Sequence, residues 1–299
     1  NTDGLLIPKV DVFPATNPTA AQQGMLVYLT TTSGSNAPGF YYWNNPTTSW
    51  VGIGGSASGN NWALAGNTVN ATTDFMGSTN NADVIFKRNN VRAGRIGDSN
   101  TSFGYNSLNP ASTGVGLVAM GVSSLSANTT GSYLTAIGND ALNKNTTGSQ
   151  NTAIGTAAMF NNTIGEYNFA LGNDALKQNT SGRFNIGIGV AALTSNTIGN
   201  RNIAIGNDAL KNSTDKSYNI GIGESALKNN TVGEYNIAVG SNSMENNSGS
   251  RNTAIGTEAM YLIVNGDDNT AIGYHALRTG TNGARNVAIG NNTLMNNTT

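Results

Sequence analysis

The sequence predicts an all-β protein: a parallel β-solenoid, or β-roll, of about twelve 17-residue repeats, preceded by a small N-terminal β module. Three column patterns support this. A glycine closes an Ala-Ile-Gly-like triplet at Gly104, Gly121, Gly138, Gly155, Gly172, Gly189, Gly206, Gly223, Gly240, Gly256, Gly273 and Gly290, always 17 apart except for 16 between Gly240 and Gly256. The residue before each anchor is apolar: Phe103, Met120, Ile137, Ile154, Leu171, Ile188, Ile205, Ile222, Val239, Ile255, Ile272 and Ile289. The residue four after it is Leu or Met without exception, from Leu108 and Leu125 through Met159 and Met244 to Leu294.

Fixed phase means that every unit presents the same side chains inward, so both apolar columns are expected in one continuous thin core. Two before each anchor stands Ala or Gly from Ala119 onward, and Ser102 in the first unit, which predicts a close backbone or subunit approach there. Within a unit, Asn202-Ile203-Ala204-Ile205 alternates with period two and is rich in β-branched residues, the pattern of a short strand. The Asn-Asp-Ala-Leu pieces at 139–142, 173–176 and 207–210 begin like helices but reach an Asn-Thr or Ser-Thr corner within about one turn, so a bend or a single helical turn is expected.

Four before the anchor runs a column of Asn151, Asn168, Asn185, Asn202, Asn219, Asn236, Asn252, Asn269 and Asn286, expected to stack as a structural hydrogen-bonded ladder. Asn145, Asn162, Asn179, Asn196 and Asn230, each followed by Thr, are expected to do the same at another corner. There Gly148, Gly165, Gly182, Gly199 and Gly233 are expected in backbone conformations that other residues avoid. Twelve coils at a sheet spacing of about 4.8 Å give a rod of about 58 Å. Its thin core calls for oligomerisation.

Ahead of the roll, which spans 99–299, residues 1–55 read as a β-hairpin module and 56–98 as a connector. In the module, Leu5-Leu6-Ile7, Met25-Leu26-Val27-Tyr28-Leu29, Phe40-Tyr41-Tyr42-Trp43 and Trp50-Val51 are strand-like, with Asn45-Pro46 marking a turn. The connector has strand-like Trp62-Ala63-Leu64-Ala65 and Asp83-Val84-Ile85-Phe86-Lys87. Its Arg88, Arg92 and Arg95 form the one basic cluster, suited to a solvated face, an intersubunit salt bridge or an acidic partner.

Only 10% of the 299 residues are charged and 15 basic side chains balance 16 acidic ones, so no long-range field draws the chain to nucleic acid or an anionic membrane. No apolar run is long enough for membrane insertion, and there is no cysteine for disulfides or thiolate metal sites. That content fits an extracellular, cell-surface or virion setting. Catalysis needs convergent acids, bases or nucleophiles, and a single histidine, His275, with scattered carboxylates predicts no enzyme and no cofactor. Gly187-Ile188-Gly189 and Gly221-Ile222-Gly223 resemble nucleotide loops but recur with the repeat and lack a following helix or lysine. A regular Asp column for calcium is missing, and Asp267-Asp268 reads as an exposed loop.

The candidate recognition stripe lies five before each anchor: Tyr133, Tyr167, Phe184, Arg201, Tyr218, Tyr235, Arg251 and Arg285, with Gln150 and Asp268 in the same column. Tyr and Arg are favoured at recognition surfaces and suit a glycan or protein receptor; the alternative is that they cover the roll or a subunit seam.

Asn151-Thr152-Ala153-Ile154-Gly155-Thr156-Ala157-Ala158 resembles the head repeats of trimeric autotransporter adhesins. That resemblance implies a left-handed parallel β-roll in a homotrimer, although those repeats are commonly shorter. The unit at 147–162 is more similar to repeats of bacterial and phage tail-fibre-domain proteins, as are Gly4-Leu5-Leu6-Ile7-Pro8-Lys9-Val10 and the connector stretches Asp74-Phe75-Met76-Gly77-Ser78-Thr79 and Val84-Ile85-Phe86-Lys87-Arg88-Asn89-Asn90. In that family a self-cleaving chaperone domain frequently follows the repeats, and no stretch of this sequence resembles it.

Function is therefore expected to be that of a fibre or adhesin displaying a binding surface at a cell or virion exterior, with particle or filament neighbours engaged through 1–98. A second reading is an extracellular filament or sheath subunit polymerising by N-terminal strand addition. An ice-binding solenoid ranks last, because its regular columns are interrupted at Ser213, Ile263 and Gly280 and the stripe is bulky.

Overall fold

The computed structural model describes residues 7–34, 36–53, 80, 82–262, 265–280 and 283–297. The strand expected at Leu5-Leu6, the stretches Trp62-Ala63-Leu64-Ala65 and Asp74 to Thr79, and Ile263 lie outside them. The described residues are nearly all β, with two short 3-10 turns and no α-helix. The chain divides into two units, Asn1–Met76 and Gly77–Thr299.

The first unit holds a four-stranded sheet of β1 (Lys9–Val10), β2 (Leu26–Leu29), β3 (Gly39–Asn44) and β4 (Ser49–Ile53), in that order. Strands β2, β3 and β4 are antiparallel, while β1 adds parallel to β2. Alternation sends Val27, Leu29, Tyr41 and Trp43 to one buried face. There Phe13 stacks on Trp50 at 5.2 Å and meets Tyr41 edge-on at 5.0 Å, and Trp43 meets Trp50 at 5.7 Å. Asn45-Pro46 opens the turn as expected, closing on Thr48 in the left-handed region.

The second unit is one fourteen-stranded sheet. An antiparallel hairpin, β5 (Val84–Arg88) and β6 (Val91–Ile96), turns on Asn89-Asn90, both with positive φ. It adds antiparallel to the first rung, β7 (Asn100–Phe103), so part of the expected connector belongs to the solenoid sheet. The remaining rungs follow in register and in chain order: β8 (Leu117–Met120), β9 (Leu134–Ile137), β10 (Thr152–Ile154), β11 (Phe169–Leu171), β12 (Ile186–Ile188), β13 (Ile203–Ile205), β14 (Ile220–Ile222), β15 (Ile237–Val239), β16 (Thr253–Ile255), β17 (Thr270–Ile272) and β18 (Val287–Ile289). From β7 onward all pairings are parallel.

An end coil leaves backbone carbonyls without the next coil's N–H groups. Arg92 meets this need at the start of the solenoid. Its guanidinium donates to the carbonyls of Leu108 and, at 3.5 Å, Ser107. Burial and the nearby Arg95 charge lower its pKa, partly opposed by Asp83, which pairs with Arg95 at 2.7 Å. Two of the three clustered arginines are thus accounted for inside the fold.

Two expectations are corrected. The column Phe103 to Ile289 does not face inward: Met120 is 42% and Ile255 41% exposed, while Ala136, Ala153, Ala204 and their equivalents are fully buried. A strand can send only alternate side chains inward. The inward position is the small one because a 17-residue coil has a narrow interior already filled by the Leu/Met column and by Ala141, Ala158, Ala175 and their equivalents. A Cβ on Gly187 would stand 3.3 Å from the Ala192 carbonyl and 3.4 Å from the Leu176 side chain, so the close approach is within the roll. The second correction concerns Gly148, Gly165, Gly182, Gly199 and Gly233, none of which has a positive φ. They are required by space: a Cβ on Gly148 would strike the Gly165 carbonyl and lie 2.8 Å from Asn145 Oδ1. Positive φ belongs instead to the anchors, such as Gly155 at 134°.

The coils bend through three left-handed positions, at two and four after the anchor and five before the next one, as at Ala191, Leu193 and Arg201; all are non-glycine except Gly116 in the first coil. Of the bend or single helical turn expected after Asn-Asp-Ala-Leu, the chain forms the bend, built of paired left-handed positions. Branching at Cβ is strongly disfavoured in that region. This explains why the buried column is Leu or Met and never Ile or Val, although each inward side chain contributes about 1.5–3 kcal/mol of apolar burial regardless of branching.

Leu193→Ile is expected to destabilise by about 1–2 kcal/mol more than Leu193→Met, the left-handed penalty falling on the branched residue; equal urea midpoints for the two variants would refute this reading.

The corner ladder runs through Asn128, Asn145, Asn162, Asn179 and Asn196, each donating at 2.8 Å to the side chain one coil before. It breaks at Ser213, whose buried Oγ has no partner, as has Asn196 Oδ1. In the same coil Lys216 replaces the corner glycine. Since a Cβ at that position crowds the Asn side chain, the two exceptions are sterically coupled. The double variant Ser213→Asn/Lys216→Gly is expected to gain about 1–3 kcal/mol by satisfying the orphaned groups, while Ser213→Asn alone gains little; a full gain from the single change, measured by thermal melting, would show that no coupling exists.

Candidate functional site

The eight stripe residues all sit at the left-handed position immediately before the strand-entry Asn column, with φ between 56° and 62°. Repetition at the coil spacing brings them face to face. Tyr167 stacks on Phe184 with centroids 4.8 Å apart and planes within 9°, and Tyr218 stacks on Tyr235 at 4.8 Å and 8°. Arg201 lies between the pairs, 5.4 Å from the Phe184 ring and 5.5 Å from the Tyr218 ring, and donates to the Tyr218 hydroxyl at 2.7 Å. Five successive coils thus carry one planar stack.

The column continues as charges. Arg251 donates to Asp268 at 2.6 Å and contacts Asp267 at 3.4 Å. The hydrogen bond that Arg251 donates to Asp268 holds the Asp268 carboxyl below its ordinary pKa and raises that of Arg251. The Arg285 backbone N–H donates to the Asp267 carbonyl. Tyr133 stands apart beyond Gln150 and is 65% exposed. In the stack's interior the ring faces are occupied by neighbours, which leaves edges and hydroxyls outward. The aromatic faces left open are therefore the unstacked ones of the column, with ring edges and hydroxyls turned toward polar surroundings.

The strand-entry Asn ladder is a different object, buried from Asn151 to Asn269. Its Oδ1 atoms chiefly accept the next coil's backbone N–H, as Asn168 and Asn185 show at 2.9 Å. Its Nδ2 atoms donate to a glycine carbonyl within the chain's next corner, as from Asn151 to Gly165 at 2.7 Å. Direct amide-to-amide bonds accompany these at Asn168, Asn202, Asn269 and Asn286. Asn100 begins the column, a member that the sequence reading did not include, with Leu117 and Leu134 standing in it before Asn151.

A second surface was missed. On the outer face of the sheet, two apolar columns flank the inward Ala: Phe169, Ile186, Ile203, Ile220 and Ile237 on one side, and Leu171, Ile188, Ile205, Ile222 and Val239 on the other. These side chains are half-buried or exposed, Leu171 reaching 39%. Their alternation with Ala was the available signal.

His275 Nε2 lies 3.1 Å from Glu258 Oε2, the oxygen that also accepts from Arg278 at 2.6 Å. Among the described residues no group of three His, Cys, Asp or Glu could hold a metal ion, and no helix is long and apolar enough to cross a membrane.

Residues 1–72 match the family model of the phage tail like trimerisation region. Together, this N-terminal match and the β-solenoid fit a phage tail-fibre-like structural protein, and the trimerisation region supports a homotrimer. A phage tail-like region points to a virion or extracellular setting. No curated protein and no solved structure matches the chain.

Proposed function

We propose that the chain forms a homotrimeric fibre at a virion or cell exterior, in which the solenoid supplies length and its outer surface meets a receptor. The observation that carries this reading is the conjunction of a trimerisation-type N-terminal region with a solenoid whose outer sheet face is apolar over many successive rungs. A continuous exposed face of this kind marks a protein contact. A second and third copy would cover it, extending a core that one coil alone keeps thin. Native mass spectrometry of the whole chain is expected to give a mass of three copies; a stable monomer overturns the fibre reading.

The stripe from Tyr133 to Arg285 is the proposed receptor contact, engaging a surface glycan or protein through its hydroxyls, ring edges and free ring faces. Supporting it are the exposure of Tyr133 and the 54% exposure of Tyr235 at the end of the stack. On an array of bacterial surface polysaccharides, a paired Tyr133→Ala and Tyr235→Ala change is expected to weaken binding at least tenfold with the trimer mass unchanged. If the wild-type chain binds and the variant binds equally well, the stripe is not the contact.

A further inference from the structure

The N-terminal sheet has two apolar faces, of which the buried core uses one. Opposite Val27, Leu29, Tyr41 and Trp43 stand Leu26, Tyr28, Phe40, Tyr42, Val51 and Ile53. They are brought together by register: Leu26 faces Tyr42, which faces Val51, and Tyr28 faces Phe40, which faces Ile53. Tyr28 and Phe40 pack edge-on at 4.8 Å, so this side of the sheet is ordered by its own contacts. Yet Phe40 remains 45% and Ile53 47% exposed, and none of the six carries a charge. Charges border the face only at its edge, in Lys9 beside Tyr28 and in Asp11, which accepts from the Thr30 hydroxyl.

We infer that copies of the chain meet in the N-terminal unit through this face, a deepening that rests on the homotrimer reading above. The face lies wholly within the residues that match the trimerisation region. It is also suited to self-association. Around a symmetry axis each patch meets the same patch or its neighbour, so any charge at its centre would be brought against a like charge. Phe and Tyr with aliphatic neighbours and no charge are the composition that interface centres favour, and the two Tyr hydroxyls can be satisfied at the rim.

Because the sequence has no cysteine, single cysteines report on this face without background. Phe40→Cys and Ile53→Cys are made separately in the full chain, with Ala21→Cys in the 3-10 turn Ala20–Gln22 as an exposed comparison. A short bifunctional maleimide is expected to link two chains through position 40 or 53, giving a covalent dimer on a denaturing gel, and to leave Ala21→Cys unlinked. Should neither cysteine link while native mass spectrometry still shows three copies, the inference is overturned and the homotrimer stands. In that case both cysteines are expected to react readily with a monofunctional maleimide, as a face left open in the trimer must. A monomeric wild-type chain overturns the homotrimer reading instead, so the two failures are distinguishable.

Discussion

Coil-to-coil spacing is the constraint on which the rest of the solenoid depends. Neighbouring coils approach so closely at the anchor that a Cβ on Gly155 would collide with the Gly172 carbonyl, and the same relation recurs at anchors from Gly104 to Gly273. That proximity lets β7 to β18 pair without slippage and sets each polar side chain one hydrogen bond from its counterpart. Inside the roll the Asn columns then satisfy corner carbonyls and N–H groups that the strand ladder does not reach, as from Asn151 to the Gly165 carbonyl.

Charge is almost superfluous to such a design. Its polar groups are neutral amides and hydroxyls, internally bonded, as when Thr146 and Thr163 Oγ1 donate to the carbonyl one coil ahead at 3.0 Å. Those hydroxyls are engaged in the wall of the roll. The ion pairs that do occur lie on the surface, where each is worth little. Asp208 shows the pattern: burial pushes its carboxyl pKa up, but hydrogen bonds from Lys211 and Lys228 outweigh it and the pKa is lowered.

Much of this was legible in the sequence because the repeat averages out local ambiguity. The period, the strand at Ile203-Ala204-Ile205 and the buried Leu/Met column all follow from residue identity at fixed phase. The direction of the Ile column did not follow, since apolarity alone was taken for interior position and a sheet can be apolar on both faces. Alternation with fully buried Ala204 was the better guide. The left-handed turns were also written in the sequence, in the absence of Ile, Val and Thr at the position of Leu193. The stacking of Tyr167 on Phe184 was not, because it depends on the left-handed backbone at both positions and on the coil spacing that sets the two rings 4.8 Å apart. The Ser213 and Lys216 exceptions gain meaning only once the corner Asn and Gly are seen to contend for one space.

The single 16-residue unit has a wider consequence. Its missing residue falls at the corner, where Asn247 reaches Gly249 across two positions and Asn145 reaches Gly148 across three. Strand β16 nevertheless stays in register with β15, Ile237 against Thr253. A corner that absorbs a deletion, combined with rungs that are interchangeable, makes the gene a ruler: unequal recombination between repeats would lengthen or shorten the solenoid in whole coils while preserving the strand register. Solenoid length, in such a molecule, can change in whole coils without a change in the packing of any one coil.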